Sequence, residues 1–254
     1  MFAIPLGGEY MANIARVALE NALRDRKLDR TLTTALLALE RVDDGAMVPV
    51  DVAAIDRCLQ GGVPRGHLSE IAGPCSSGRT TLLLHLLSAA TRRGEIVALV
   101  DTLDRLDVAS AAAAGIDLDR LLWIRGSESS WALIERALKA LNLVLQAGGF
   151  GVVVIDLAEV PASTLKQIPF TTWMRVQRVI EGSDTACLIL ASEPLARSSG
   201  GLTMALAGRT TWAGASSRSR RLAGIDMRVR VMSPRRRIDG EVNVQALTSE
   251  ITAS

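Results

Sequence analysis

Lysine is almost missing from this chain: of 29 basic residues, only Lys27, Lys139 and Lys166 are not arginine. Aromatic side chains make up 3% of the sequence, and histidine occurs only at His67 and His85. His85 lies inside a leucine-rich run that suits packing, and no serine, histidine and aspartate assemble into a nucleophilic triad. Cysteine is also scarce. Cys58, Cys75 and Cys187 are odd in number and lack the paired spacing of a zinc site or a disulfide framework, so reduced thiols in a cytoplasmic protein are expected. No run approaches the ~18 uncharged apolar residues that span a bilayer. The apolar residues 1–8 lack a basic start and are too short for a signal peptide.

What is present suits a large core. The chain has 254 residues, 48% of them hydrophobic, which is enough for one substantial domain with a small appendage. Its net charge of +2 is unevenly divided: residues 1–196 carry 19 Lys/Arg against 23 Asp/Glu, and residues 197–254 carry 10 against 4. A basic C-terminal segment on a mildly acidic body could meet a phosphate backbone or an acidic partner.

The chain is organised around Gly73, Pro74, Cys75, Ser76, Ser77, Gly78, Arg79, Thr80 and Thr81, preceded by a strand candidate at residues 67–72 and followed by a helical run at 82–93. In the pattern G-x-x-x-x-G-K-[ST], backbone N–H groups cradle phosphates, a lysine reaches the β- and γ-phosphates and the hydroxyl holds magnesium. Both glycines and Thr80 are in register here, but Arg79 stands in the lysine's place. Strand before and helix after supply the expected context, the helix N-terminus adding partial positive charge. Asp156 closes a later apolar strand, where a second nucleotide motif would meet magnesium or its water shell. ATP with magnesium on Thr80 and Asp156, or no cofactor at all, are the two expectations.

Taken in order, residues 1–45 read as an N-terminal helical segment and 46–254 as the core. Met11, Ile14, Ala15, Ala18 and Ala22 fall at helical spacing, as do Leu32, Leu36 and Leu39. Packing on the core and docking to a partner, or to a second copy, are equally open for these helices. After the loop, strands are expected at 95–101, 121–124, 150–156 and 185–191, with helices at 104–115, along the Trp131, Ile134, Leu138, Leu141 and Leu145 stripe, and at 171–181. Such alternation, with near-continuous apolar strands, predicts an α/β fold whose mostly parallel central sheet is covered by helices on both faces. Beyond Glu193 the pattern weakens, and residues 198–217 read as mobile loops. Alternation returns at 227–232 and 242–247, with Asp239 and Gly240 favouring a hairpin, so antiparallel strands are expected at the C-terminal edge.

Asp56 to Leu59, the run Gly61, Gly62, Val63, Pro64, Arg65 and Gly66, then Ser69, Glu70 and Ile71, lead into the loop in a way that resembles the bacterial RecA recombinase core. The resemblance continues through Val100 and Asp101, the Gly115, Ile116, Asp117, Leu118 and Asp119 run, and residues 152–156, spanning roughly 48–247. It implies a RecA-like P-loop NTPase core, with DNA-facing loops near residues 157–170 and 193–206. Departures accompany it. The family's loop lysine is Arg79, its water-activating glutamate falls on Leu103 beside Asp104, its sensor glutamine is Glu193, and its neighbour-reaching lysines have no counterpart in 241–247. The guanidinium is planar and larger than an ammonium, and losing a general base typically forfeits ~10²–10⁴-fold in rate.

A shortened, degenerate RecA-like chain of this kind is similar to the ImuA subfamily of bacterial mutagenesis cassettes. That similarity implies an accessory role in the DNA-damage (SOS) response and translesion synthesis, with RecA, an ImuB-like Y-family polymerase homologue and an error-prone C-family polymerase as partners. An active ATP-dependent recombinase, with Asp104 or Glu193 as base, is the alternative; a regulator of some unrelated process would share the fold alone. For contact with DNA the candidates are Arg197, Arg218, Arg220, Arg221, Arg235, Arg236 and Arg237, with Arg228 and Arg230 beside them and Trp212 as the one nearby stacking side chain.

Overall fold

The computed structural model describes residues 47–126, 131–196, 200–214, 218–233 and 238–247. The helices expected within residues 1–45, together with Arg197, Arg235, Arg236 and Arg237, lie outside the described residues.

In chain order the described elements are β1 (Met47–Val48), α1 (Ala53–Cys58), β2 (Val63–Pro64), β3 (Leu68–Ala72), α2 (Arg79–Arg92), β4 (Val97–Asp101) and α3 (Val108–Ala113). A 3₁₀ turn follows at Leu118–Arg120, then β5 (Leu121–Arg125), α4 (Trp131–Ala147), β6 (Val152–Asp156), α5 (Ala162–Leu165) and α6 (Phe170–Ile180). The chain continues as β7 (Ala186–Ala191), β8 (Thr203–Ala213), β9 (Arg221–Ser233) and β10 (Ile238–Leu247).

An eight-stranded sheet runs β10-β9-β8-β3-β7-β6-β4-β5. From β8 to β5 every neighbouring pair is parallel, whereas β8 with β9 and β9 with β10 are antiparallel. The expected parallel sheet with an antiparallel C-terminal edge is therefore present. Strand alternation sorts its side chains to two faces. Leu99, Val154 and Leu188 meet Leu82, Leu86 and Leu87 of α2 on one face, while Val100, Val153 and Ile189 meet Ile134 and Leu141 of α4 and Trp173 and Val176 of α6 on the other. Burial on both faces is why these strands read as continuous apolar runs.

Most element ends fall within three residues of the sequence reading; the larger differences are at α3, at β8 with β9, and at β10, which starts at Ile238, so that Asp239 and Gly240 pair with Met232 and Val231 inside the strand and not in the turn. Helix α3 begins at Val108, not Asp104, because Asp107 caps it by accepting from Ala109 N (3.3 Å) and Ser110 N (3.1 Å). The residues before it wrap the buried Asp101 carboxylate, which accepts from Arg105 N at 2.9 Å and Leu106 N at 2.8 Å. The second difference is larger. Much of the stretch expected as loops is β8, eleven residues long, and β9 starts at Arg221, six residues before the expected 227. In β8 the inward Met204 and Leu206 alternate with Ala205 and Ala207, so both faces carry apolar residues and no polar alternation marks the strand. Pairing with β3 on one side and β9 on the other holds it in place.

Candidate functional site

The loop between β3 and α2 leaves the sheet at the C-terminal end of the parallel strands, where ligands of open α/β sheets bind. Gly73 N donates to Ala191 O at 3.1 Å, tying the loop's start to the end of β7, and Ser77 N donates to Pro74 O at 3.2 Å, closing a turn. Gly78, with φ +90°, is the N-cap residue of α2. Two strands of the antiparallel edge press on this loop. A Cβ on Gly78 would lie 2.0 Å from Met227 Sδ of β9, and one on Gly208 of β8 would lie 2.7 Å from the Ser77 carbonyl group. The left-handed φ at Gly78 and these close approaches explain why glycine stands at both positions.

Arg79 does not point out to solvent. Its buried guanidinium donates from Nη1 to Gly73 O, and from Nη2 to Ala158 O at 3.3 Å and to Glu159 Oε1. It therefore lies across the loop, from the first residue of α2 back to the loop's opening carbonyl. Ser77, also buried, has a hydroxyl oxygen without a hydrogen-bond partner among the described residues, and that oxygen lies 2.5 Å from where a Gly73 Cβ would stand.

Asp156 ends β6 in register with Asp101 at the end of β4. Burial pushes its carboxyl up to about 6, with the Asp101 and Glu159 carboxylates adding to the rise while the Ala158 N–H (2.8 Å) and Arg79 oppose it. Thr80 and Asp156 line one cavity of about 590 Å³ with Arg105, Asp107, Ser110 and Glu159. A second cleft, of about 430 Å³, has Cys75, Ser76, Gly78 and Arg79 on one side and Thr210, Leu222, Ile225 and Leu247 of the antiparallel edge on the other.

Thr80 and Asp156 are the residues that would hold magnesium, and Ser77, Gly78 and the start of α2 those that would hold phosphates. As placed, Arg79 does not take the lysine's part: its guanidinium is turned back to Gly73 O, Ala158 O and Glu159, so the cation that would meet a phosphate is already paired within the chain.

The candidate bases are apart from this loop. Asp104 is engaged by Arg125 through both carboxylate oxygens, each at 2.7 Å, and this pairing holds its carboxyl below the usual range. Arg125 in turn stacks 4.4 Å over the Trp123 ring. Glu193 is exposed in a bend after β7, and Leu103 packs against the α4 and α6 core. The two segments expected to face DNA are partly anchored: Leu157, Val160, Leu165 and Ile168 are buried in one, and Ala196, Leu202, Met204 and Leu206 in the other.

The basic residues are dispersed. Arg218, Arg220 and Arg221 are exposed between and at the start of the β8–β9 pair, near Trp212, which is 53% exposed. Arg228 and Arg230 project from β9 toward Glu241 (3.5 Å) and Asp239 (3.4 Å) of β10. Among the described residues no helix is long and apolar enough to cross a membrane. Glu159 was not legible from the sequence: nothing in the loop motif points to it, and only the placement of the turn after β6 brings it to Arg79. Gly208 and Met227 were hidden in the same way, though the lone glycine of an otherwise continuous strand is a signal of close backbone approach.

Comparison with known proteins agrees with the geometry. Residues 19–167 match the RecA N-terminal domain family. The chain is similar to Protein RecA of Syntrophus aciditrophicus, 34% identical over 133 residues, 52% of this chain and 37% of that protein. It is likewise similar to Protein RecA of Acidothermus cellulolyticus, 40% identical over 125 residues, 47% of this chain and 35% of that protein. With Protein RecA of Geobacter sulfurreducens it shares 36% identity over 142 residues, 55% of this chain and 40% of that protein. The similarity thus covers about two-fifths or less of each relative's length.

Proposed function

The chain belongs to the RecA N-terminal domain family, and on that premise we propose that it is an accessory member without efficient ATP hydrolysis, acting through contacts with other proteins and with DNA. The observation that carries this reading is Arg79, buried across the phosphate loop and held there by Gly73, Ala158 and Glu159. Leu103, half-buried against the α4 and α6 core, and Asp104, paired with Arg125, support it, since neither offers a carboxylate free to activate water. In the finer form of the proposal, the chain serves in the SOS response and translesion synthesis, as the ImuA resemblance implies, bridging RecA and an ImuB-like Y-family polymerase homologue. The exposed arginines of the antiparallel edge, with Trp212 beside them, would face DNA.

The bridging claim is tested by mixing the purified full-length chain with purified RecA and, separately, with the polymerase homologue, and measuring association by sedimentation. Complex formation with both is expected. Association with neither removes the bridging role.

A further inference from the structure

A buried guanidinium needs a counter-charge, and the two carbonyls that accept from Arg79 are neutral. Among the described residues, Glu159 is the carboxylate hydrogen-bonded to it. The two partners differ in exposure: the Arg79 side chain is 5% exposed and that of Glu159 46%. The backbone under Glu159 is fixed. Leu157 N donates to Leu190 O at 2.8 Å, Val160 N to Leu157 O at 3.1 Å, and the side chains of Leu157 and Val160 are buried. Rotation of the Glu159 side chain into solvent therefore breaks the contact with no change in the main chain, and leaves Arg79 hydrogen-bonded to neutral carbonyls only, with Asp156 the remaining carboxyl acting on it.

The loop also retains an unused group. Ser77 Oγ is buried and without a partner among the described residues, inside the curl that Arg79 crosses. Buried hydroxyls are ordinarily hydrogen-bonded, so an orphan here marks a place that an acceptor would satisfy.

We propose that Glu159 is a latch that holds Arg79 across the phosphate loop, so that the affinity of the loop for polyphosphate anions is set by the Arg79–Glu159 contact. With the latch closed, the cation is neutralised from within. With it open, Arg79 becomes a counter-ion for an entering phosphate, and Ser77 Oγ and the α2 N–H groups gain an acceptor. The inference rests on reading residues 73–81 as a degenerate nucleotide loop and adds a way in which its occupancy is governed.

The test measures binding of inorganic pyrophosphate by calorimetry to the full-length wild type, Glu159→Ala, Arg79→Ala and the double variant. Loss of a charge-assisted, half-exposed contact should tighten binding about fivefold in Glu159→Ala. The gain should vanish when Arg79 is also alanine. No gain in Glu159→Ala overturns the latch; a gain that persists without Arg79 also overturns it, because it would reflect only the removal of a nearby negative charge. Should Arg79→Ala fail to fold, alkylation of the exposed Cys75, whose Sγ lies 3.8 Å from Glu159 Oε1, gives a second reading. Half-maximal protection of Cys75 from alkylation should need about fivefold less pyrophosphate in Glu159→Ala than in the wild type; equal concentrations for the two, or protection in neither, contradict the latch. Either failure leaves the accessory reading standing, since that depends on ATP turnover and not on pyrophosphate affinity.

Discussion

Where a lysine ammonium would point at a phosphate from the first turn of α2, the longer planar guanidinium of Arg79 reaches back to Gly73 and across to Ala158 and Glu159. The replacement itself could be read in the sequence. Its consequence could not, because the acceptors come from the loop's opening and from the turn after β6, two segments that only the sheet brings together. Asp156 shows the same division. Its place at the end of an apolar strand was legible, but its raised carboxyl depends on burial and on Asp101, a strand neighbour 55 positions earlier. Folding raises this carboxyl from its usual value to about 6, so between about pH 4 and 6 the native state binds more protons than the unfolded one. The favourable contribution is complete below that window and is lost as pH rises through it. In metal-free protein, Asp156→Asn should therefore gain on the order of 1–2 kcal/mol over wild type at pH 7 and flatten the pH 4–6 slope. Urea denaturation across that range checks both. An unchanged slope would mean that Asp156 is not the titrating group.

At the scale of elements, α2, α4 and α6 were legible from their helical period and the buried parallel strands from their continuous apolar runs. Strand β8 was not: its alanines and Gly208 make the two faces equally apolar, and its extended form is imposed by pairing with β3 and β9. That pairing brings Gly208 onto the phosphate loop. Gly208→Ala would place a methyl 2.7 Å from the Ser77 backbone, so the strand or the loop must shift. A loss of roughly 1–3 kcal/mol is expected, as for overpacked cores, measurable as a lower denaturation midpoint with unchanged cooperativity. A neutral substitution would show that the β8–loop contact is loose.

The connection between β8 and β9 carries the exposed Arg218 and Arg220. If this end of the edge meets DNA, replacing both with alanine should weaken binding to single strands and lower the slope of log K against log salt by roughly 1.4, about 0.7 for each lost phosphate contact. Fluorescence anisotropy at several salt concentrations measures this. An unaltered slope would take this end of the edge out of the DNA-contacting surface and leave Arg197, Arg235, Arg236 and Arg237 among the remaining candidates.

Across the whole molecule, the sheet order, the loop at the C-terminal end of β3 and the family match of residues 19–167 agree. The fold was legible because the RecA-like motif residues sit at strand ends, where chain reversal and ligand approach constrain residue type. Activity is not fixed by that agreement. It depends on whether a loop crossed by Arg79, with Leu103 packed against the core and Asp104 paired with Arg125, still turns ATP over. The most direct measurement is steady-state ATP turnover by the purified full-length chain with magnesium, with and without single-stranded DNA. Less than one turnover per chain over an hour, unchanged by DNA, is the expected result. Sustained multiple turnover, stimulated by DNA and abolished by Asp156→Ala, would contradict the account and make the chain an active ATPase.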